Sequence, residues 1–123
     1  MSDPIKSQSK VEDPDHPIIF KPWTYRIISL LFEKSSPQRE ESIVELLLQR
    51  EQEVRRLRFL GVEDIHIDSG FPDGGGLFIS DVSARNLDGL SVRVGDFESS
   101  GGGIWFWARD VVEITKPTDT ASV

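Results

Sequence analysis

The segment 104–109, with the sequence IWFWAR, constrains the fold more than any other part of the chain. Side chains alternate between the two faces of a β-strand. As a strand, this segment would place Phe106 on one face and Trp105, Trp107 and Arg109 on the other. Both faces carry large apolar groups, so both need cover. That cover comes from this chain, from a second copy or from a partner.

Composition excludes several classes of function. The chain has 123 residues, which fits one domain, and its formal net charge of -7 disfavours binding to nucleic acid or to an anionic membrane surface. It has no cysteine, which excludes disulfides, zinc–thiolate sites and thiol catalysis. We expect a cytoplasmic protein, because a small domain without disulfides fits a reducing compartment and there is no apolar leader and no apolar run of about 20 residues.

The ends of the chain differ in composition from its middle. Residues 1–17 and 116–123 are rich in Asp, Pro, Ser, Thr and Lys and carry few apolar groups. Such segments bury too little surface to offset the entropy lost on ordering. The sequence therefore predicts two disordered tails around a single domain at 18–115.

Residues 36–60 have the pattern of an amphipathic helix. Ser36 is a candidate N-cap, Pro37 follows at the first helical position, and Gly61 provides a left-handed stop. Arginines crowd the end of the segment, where they complement the helix dipole, and Glu51 is spaced to pair with Arg55. The apolar stripe consists of Ile43, Leu46, Leu47, Val54 and Leu57.

Residues 18–34 are ambiguous between helix and strand. Pro22 suits the start of a helix, whereas alternation through Tyr25, Ile27 and Leu31 suits a strand. The choice matters because this segment is long enough to cover the face that carries the tryptophans.

After Gly61 the apolar period changes to two. Short strands are predicted at 62–68, at 77–82, around 90–94 and from 104 towards 114, separated by glycine-rich loops and an Asp88-Gly89 turn. The glycine runs lack the Lys and Ser/Thr of a P-loop, so we interpret them as hairpin loops. The predicted fold class is α+β, with one or two N-terminal helices packed on a four-stranded antiparallel β-meander.

The candidate binding residues are Trp105, Trp107, Arg109 and Arg93, because tryptophan and arginine are enriched at binding hot spots. The alternative is that residues 18–32 fold over this face and bury it. A second candidate is the set Asp64, His66 and Asp68, which alternation places on one face of a strand. Such a set suits a divalent metal or hydrolytic chemistry, but it is also typical of a solvated strand face.

A helix followed by a meander that ends in an aromatic strand resembles the outline of small bacterial immunity or accessory proteins. The resemblance implies action by protein–protein contact, and the lack of a catalytic motif favours a non-enzymatic role without a cofactor. We therefore expect a protein partner or self-association, including a homodimer. The competing hypothesis is a metal- or small-ligand-binding domain.

Overall fold

A computed structural model describes residues 13–38, 40–72, 76–96 and 103–114. These residues form eight antiparallel strands in two sheets, with three-residue 3-10 helices at Pro22–Thr24 and Ser83–Arg85. The strands are β1 (Arg26–Glu33), β2 (Ile43–Arg50), β3 (Glu53–Leu60), β4 (Glu63–Ile67), β5 (Leu77–Asp81), β6 (Val92–Asp96), β7 (Ile104–Ala108) and β8 (Asp110–Glu113).

The two sheets pack face to face as a β-sandwich. The first sheet has the order β1-β2-β3-β8 and the second has the order β4-β7-β6-β5. Alternate residues of the central strands are buried, as period two requires. The core joins the inner faces, where the Phe59 and Phe106 rings meet edge to face with centroids 5.0 Å apart.

The predicted helix at 36–60 is wrong, and with it the α+β fold class. Residues 43–60 form a hairpin in which β2 and β3 are joined by a turn at Glu51 and Gln52. Glu51 has a φ of 55° there and does not pair with Arg55 along a helix. Leu, Glu, Gln and Arg favour helices locally, but burial of alternate residues on both strands outweighs that preference.

Residues 18–34 contain the 3-10 helix Pro22–Thr24 and then β1, so the strand alternative is correct for most of the segment. Pro22 stands first in the short helix, as its fixed φ favours. β1 joins the edge of the first sheet next to β2. It therefore does not lie across the tryptophan face of the second sheet.

The strands predicted after Gly61 are present, but their order is not that of a simple meander. β5, β6 and β7 pair consecutively, whereas β4 pairs with β7 on the far side. The last predicted strand is divided at Arg109, so that β7 stays in the second sheet and β8 crosses to the first.

The N-terminal residues in the described part of the chain lie along the edge of β5. The amide of His16 donates to the Ile79 carbonyl at 2.8 Å, and the amide of Asp81 donates to the Pro14 carbonyl at 2.8 Å. The described part of the chain thus includes residues 13–17, which composition assigned to the N-terminal tail. The rest of both predicted tails lies outside the described residues, and no described helix is long and apolar enough to cross a membrane.

Candidate functional site

The outer face of the second sheet carries a cluster of aromatic rings around one arginine. We call Phe78, Arg93, Trp105 and Trp107 the aromatic face. Arg93 stands directly opposite Trp107 in the β6–β7 pair, and directly opposite residues project to the same side of a sheet. The intervening residues of β7, including Phe106, are buried in the core.

Arg93 is held between two aromatic rings. Its guanidinium carbon lies 5.4 Å from the ring centre of Trp107 and 5.7 Å from that of Phe78. These distances fit cation–π attraction, which fixes the side chain without using its hydrogen-bond donors. Within the described residues the Arg93 side chain makes no ion pair or hydrogen bond, so its donors remain available to a ligand.

Gly95 lets two rings of the aromatic face lie against the backbone of β6. A Cβ atom at this position would stand 2.5 Å from Cζ of Phe78 and 2.7 Å from the Trp105 ring. The two rings meet edge to face there, with centroids 6.3 Å apart. Glycine therefore serves close approach at this position, and the rings form one connected surface.

The aromatic face is half-buried. Trp105, Trp107, Phe78 and Arg93 all have intermediate exposure, whereas the inner residues of the same strands are almost fully buried. The first sheet covers only the inner side. Phe78 and Trp105 lie against each other, and all four side chains keep part of their surface exposed.

Arg109 is not part of this face. It lies at the bend between β7 and β8, where its amide donates to the Leu60 carbonyl at 2.8 Å. Its guanidinium pairs with Glu41, and this hydrogen bond raises the pKa of Arg109 above its usual range. Arg109 therefore helps to fix the crossing between the sheets, and only three of the four predicted binding residues come together.

The predicted metal set is divided by an irregularity in β4. His66 lies opposite Trp105, but the β4–β7 register shifts between Glu63 and His66, and Asp64 takes a left-handed φ of 56°. His66 Nε2 stands 3.0 Å from Asp68 Oδ1. Among the described residues, no three His, Asp or Glu side chains are grouped so as to hold a metal ion.

Phe78 and Gly95 are the members of the site that sequence reasoning missed. They stand opposite each other in the β5–β6 pair, which only the register reveals. Alternation in 77–81 does place Phe78 away from Leu77 and Ile79, and that signal was present in the sequence.

The sequence analysis also did not predict a cluster of charged and polar side chains at β3 and β8. Arg55 forms a two-pronged ion pair with Glu113 of β8, with N–O distances of 2.5 and 2.8 Å. Glu53 accepts hydrogen bonds from Tyr25, Arg50 and Arg55, and these lower the pKa of Glu53 to about 2. Because each charged group has a partner, the cluster is suited to joining chain segments rather than to transferring protons.

Comparison of the chain with protein-family models, with curated proteins and with solved structures finds no match in any of the three. The outline that resembled small immunity or accessory proteins required a helix packed on a meander. The structure has two sheets instead, so that resemblance loses its basis.

Proposed function

We propose that this chain is a non-enzymatic protein-interaction module and that its aromatic face is where a protein partner binds. The observation that carries the proposal is Arg93, which two rings hold in place while its hydrogen-bond donors stay unused by the described residues. Aromatic residues and arginine at the centre of a patch are typical of binding hot spots. We propose that the module acts in the cytoplasm, because a small domain without cysteine fits a reducing compartment.

The chemistry of the face defines the partner. Trp105, Trp107 and Phe78 offer apolar surface, and Arg93 offers a planar fork of donors that matches a carboxylate. The net charge of -7 slows encounter with a strongly acidic protein. We therefore expect a neutral or basic partner that places one carboxylate over Arg93 and apolar side chains over the tryptophans.

The experiment is quantitative affinity capture from the native host's lysate with the full chain and matched variants. The double variant W105S/W107S removes the largest rings, and R93M removes the donors while keeping an apolar stem. The control is F20S, because Phe20 is a large aromatic residue that is 73% exposed and lies outside the aromatic face. Circular dichroism and thermal melting establish that each variant is folded.

The proposal requires a stoichiometric partner that wild type and F20S retain and that the other two variants lose. Capture that is equal with all variants would place binding elsewhere and overturn the proposal. If W105S/W107S unfolds, R93M decides the question. Retention of the partner by folded R93M would show that Arg93 carries no recognition.

A further inference from the structure

β1 forms one edge of the first sheet, and among the described residues no strand pairs with its outer side. β1 has eight residues, of which six are exposed, and β2 is its only neighbour among the described strands. Three large apolar residues on this strand are exposed: Ile28 by 40%, Leu31 by 50% and Phe32 by 40%. A long edge strand with apolar side chains is a template for pairing with another strand.

The other three sheet edges offer less open strand, although β4 and β8 each carry one exposed apolar residue, Ile67 and Val112. The β5 edge is covered by hydrogen bonds to Pro14 and His16. The β4 edge has five residues and a register irregularity beside Glu63, and the β8 edge has four residues, beginning with Asp110. Short strands, charges, irregularities and covering segments are the usual means of preventing edge pairing. The longer strand β1 and its three exposed apolar residues therefore indicate an edge that pairs with another strand.

We propose that β1 pairs antiparallel with β1 of a second copy and joins two first sheets into one continuous eight-stranded sheet. The strand is complementary to itself in this direction. It begins with Arg26 and ends with Glu33, so an antiparallel pair brings opposite charges together at both ends. Within the described residues Arg26 makes no ion pair in its own chain, whereas Glu33 already has an interaction there, so the contact between copies is additional for Glu33.

The apolar residues between these ends match in the same register. In the pairing with β2, Ile27, Leu30 and Phe32 stand opposite buried residues, and Ser29 and Leu31 stand opposite residues of the outer face. Ile28 is the extra residue at the irregularity between Ile27 and Ser29, so the register passes over it. A two-fold axis at Leu30 therefore pairs Ile27 with Phe32 of the second copy on the inner side of the sheet. It pairs Ser29 with Leu31 of the second copy on the outer side.

The test is a charge exchange. Arg26 and Glu33 stand seven residues apart on one strand, about 23 Å at ~3.3 Å per residue, so they do not pair within one chain. R26E and E33R each replace two attractive contacts of the dimer with two repulsive ones. We expect each single variant to weaken the dimer about tenfold. R26E/E33R restores opposite charges, so we expect it to return to within about threefold of wild type.

The measurement is sedimentation velocity of the full chain over a series of concentrations. L31E, which places a charge in the pairing, should give a monomer. V54E is the matched control, because Val54 is 55% exposed on the interior strand β3 and its variant should dimerise like wild type. A wild-type monomer at all concentrations would overturn the proposal, as would a dimer that R26E/E33R fails to restore. W105S/W107S should still dimerise, and loss of its dimer would place self-association at the aromatic face instead.

Discussion

Phe59 of β3 and Phe106 of β7 join the two sheets at the centre of the sandwich, with ring planes 84° apart and both side chains almost fully buried. Replacing either ring with alanine leaves a cavity that the surrounding strands fill only partly. We expect F59A and F106A each to lower the free energy of unfolding by about 3–5 kcal/mol, measured by urea denaturation.

The control for the two phenylalanines is L31A, because Leu31 is 50% exposed at a sheet edge. In the monomer this change should cost less than about 1 kcal/mol, as is usual for surface positions. Equal losses in L31A and F106A would contradict the proposed position of the core.

Gly95 is the backbone position over which the aromatic face is built. In G95A the new methyl group stands within 2.7 Å of two rings and forces them to move. We expect a loss of about 1–3 kcal/mol in the free energy of unfolding. The same change in an F78A background should cost less, because one of the two obstructing rings is then gone. A full cost in both backgrounds would mean that the rings are not what restricts residue 95.

Glu53 gives the stability of the protein a defined dependence on pH. Its ordinary pKa is 4.5, and hydrogen bonds from Tyr25, Arg50 and Arg55 lower the pKa to about 2 in the folded state. The ionised Glu53 carboxylate contributes its full stabilisation of the fold above pH 4.5, and this contribution is lost as the pH falls through about 2. As the pH falls from about 4.5 to about 2, the free energy of unfolding should therefore decrease less for E53Q than for wild type. The decrease for Y25F should lie between the two.

Urea midpoints at a series of pH values test this prediction about Glu53. Y25F is the informative intermediate, because the Tyr25 hydroxyl donates to Glu53 at 2.7 Å and contributes the largest share of the lowered pKa. Parallel pH profiles for wild type and E53Q would contradict it.

The second half of the fold was more predictable from sequence than the first. In 77–114 the apolar residues recur with a period of two between glycine-rich turns, and no helix period fits them. In 43–60 two periods compete: Ile43, Leu47, Val54 and Leu57 suit a helix, whereas Val44, Leu46, Leu48 and Phe59 suit two strands. The inner residues of those strands are buried against a second sheet, a tertiary effect that no local pattern reports.

Individual residues of the site also show that local sequence patterns do not report tertiary structure. Alternation alone places Trp105 and Trp107 together on the face opposite the core. Gly61 has the predicted left-handed φ, 65°, but it follows a strand rather than a helix. Arg109 continues the alternation by number, yet the chain bends at that residue and its side chain pairs with Glu41. Placing Phe78 in the aromatic face requires knowledge of which strands are neighbours.

The pair His66 and Asp68 leads us to expect that divalent metals do not stabilise this protein. His66 is exposed and Asp64 lies at the irregularity in β4, so the described part of the chain offers two neighbouring ligands here where a tight site needs three or four. A ligand raises the melting temperature only if it binds the folded state at the concentration used. Zinc, manganese and calcium should therefore leave the melting temperature of metal-free wild type and of H66A unchanged. A rise in wild type that both H66A and D68N abolish would instead support the metal-binding alternative and give a reason to reassign this strand face.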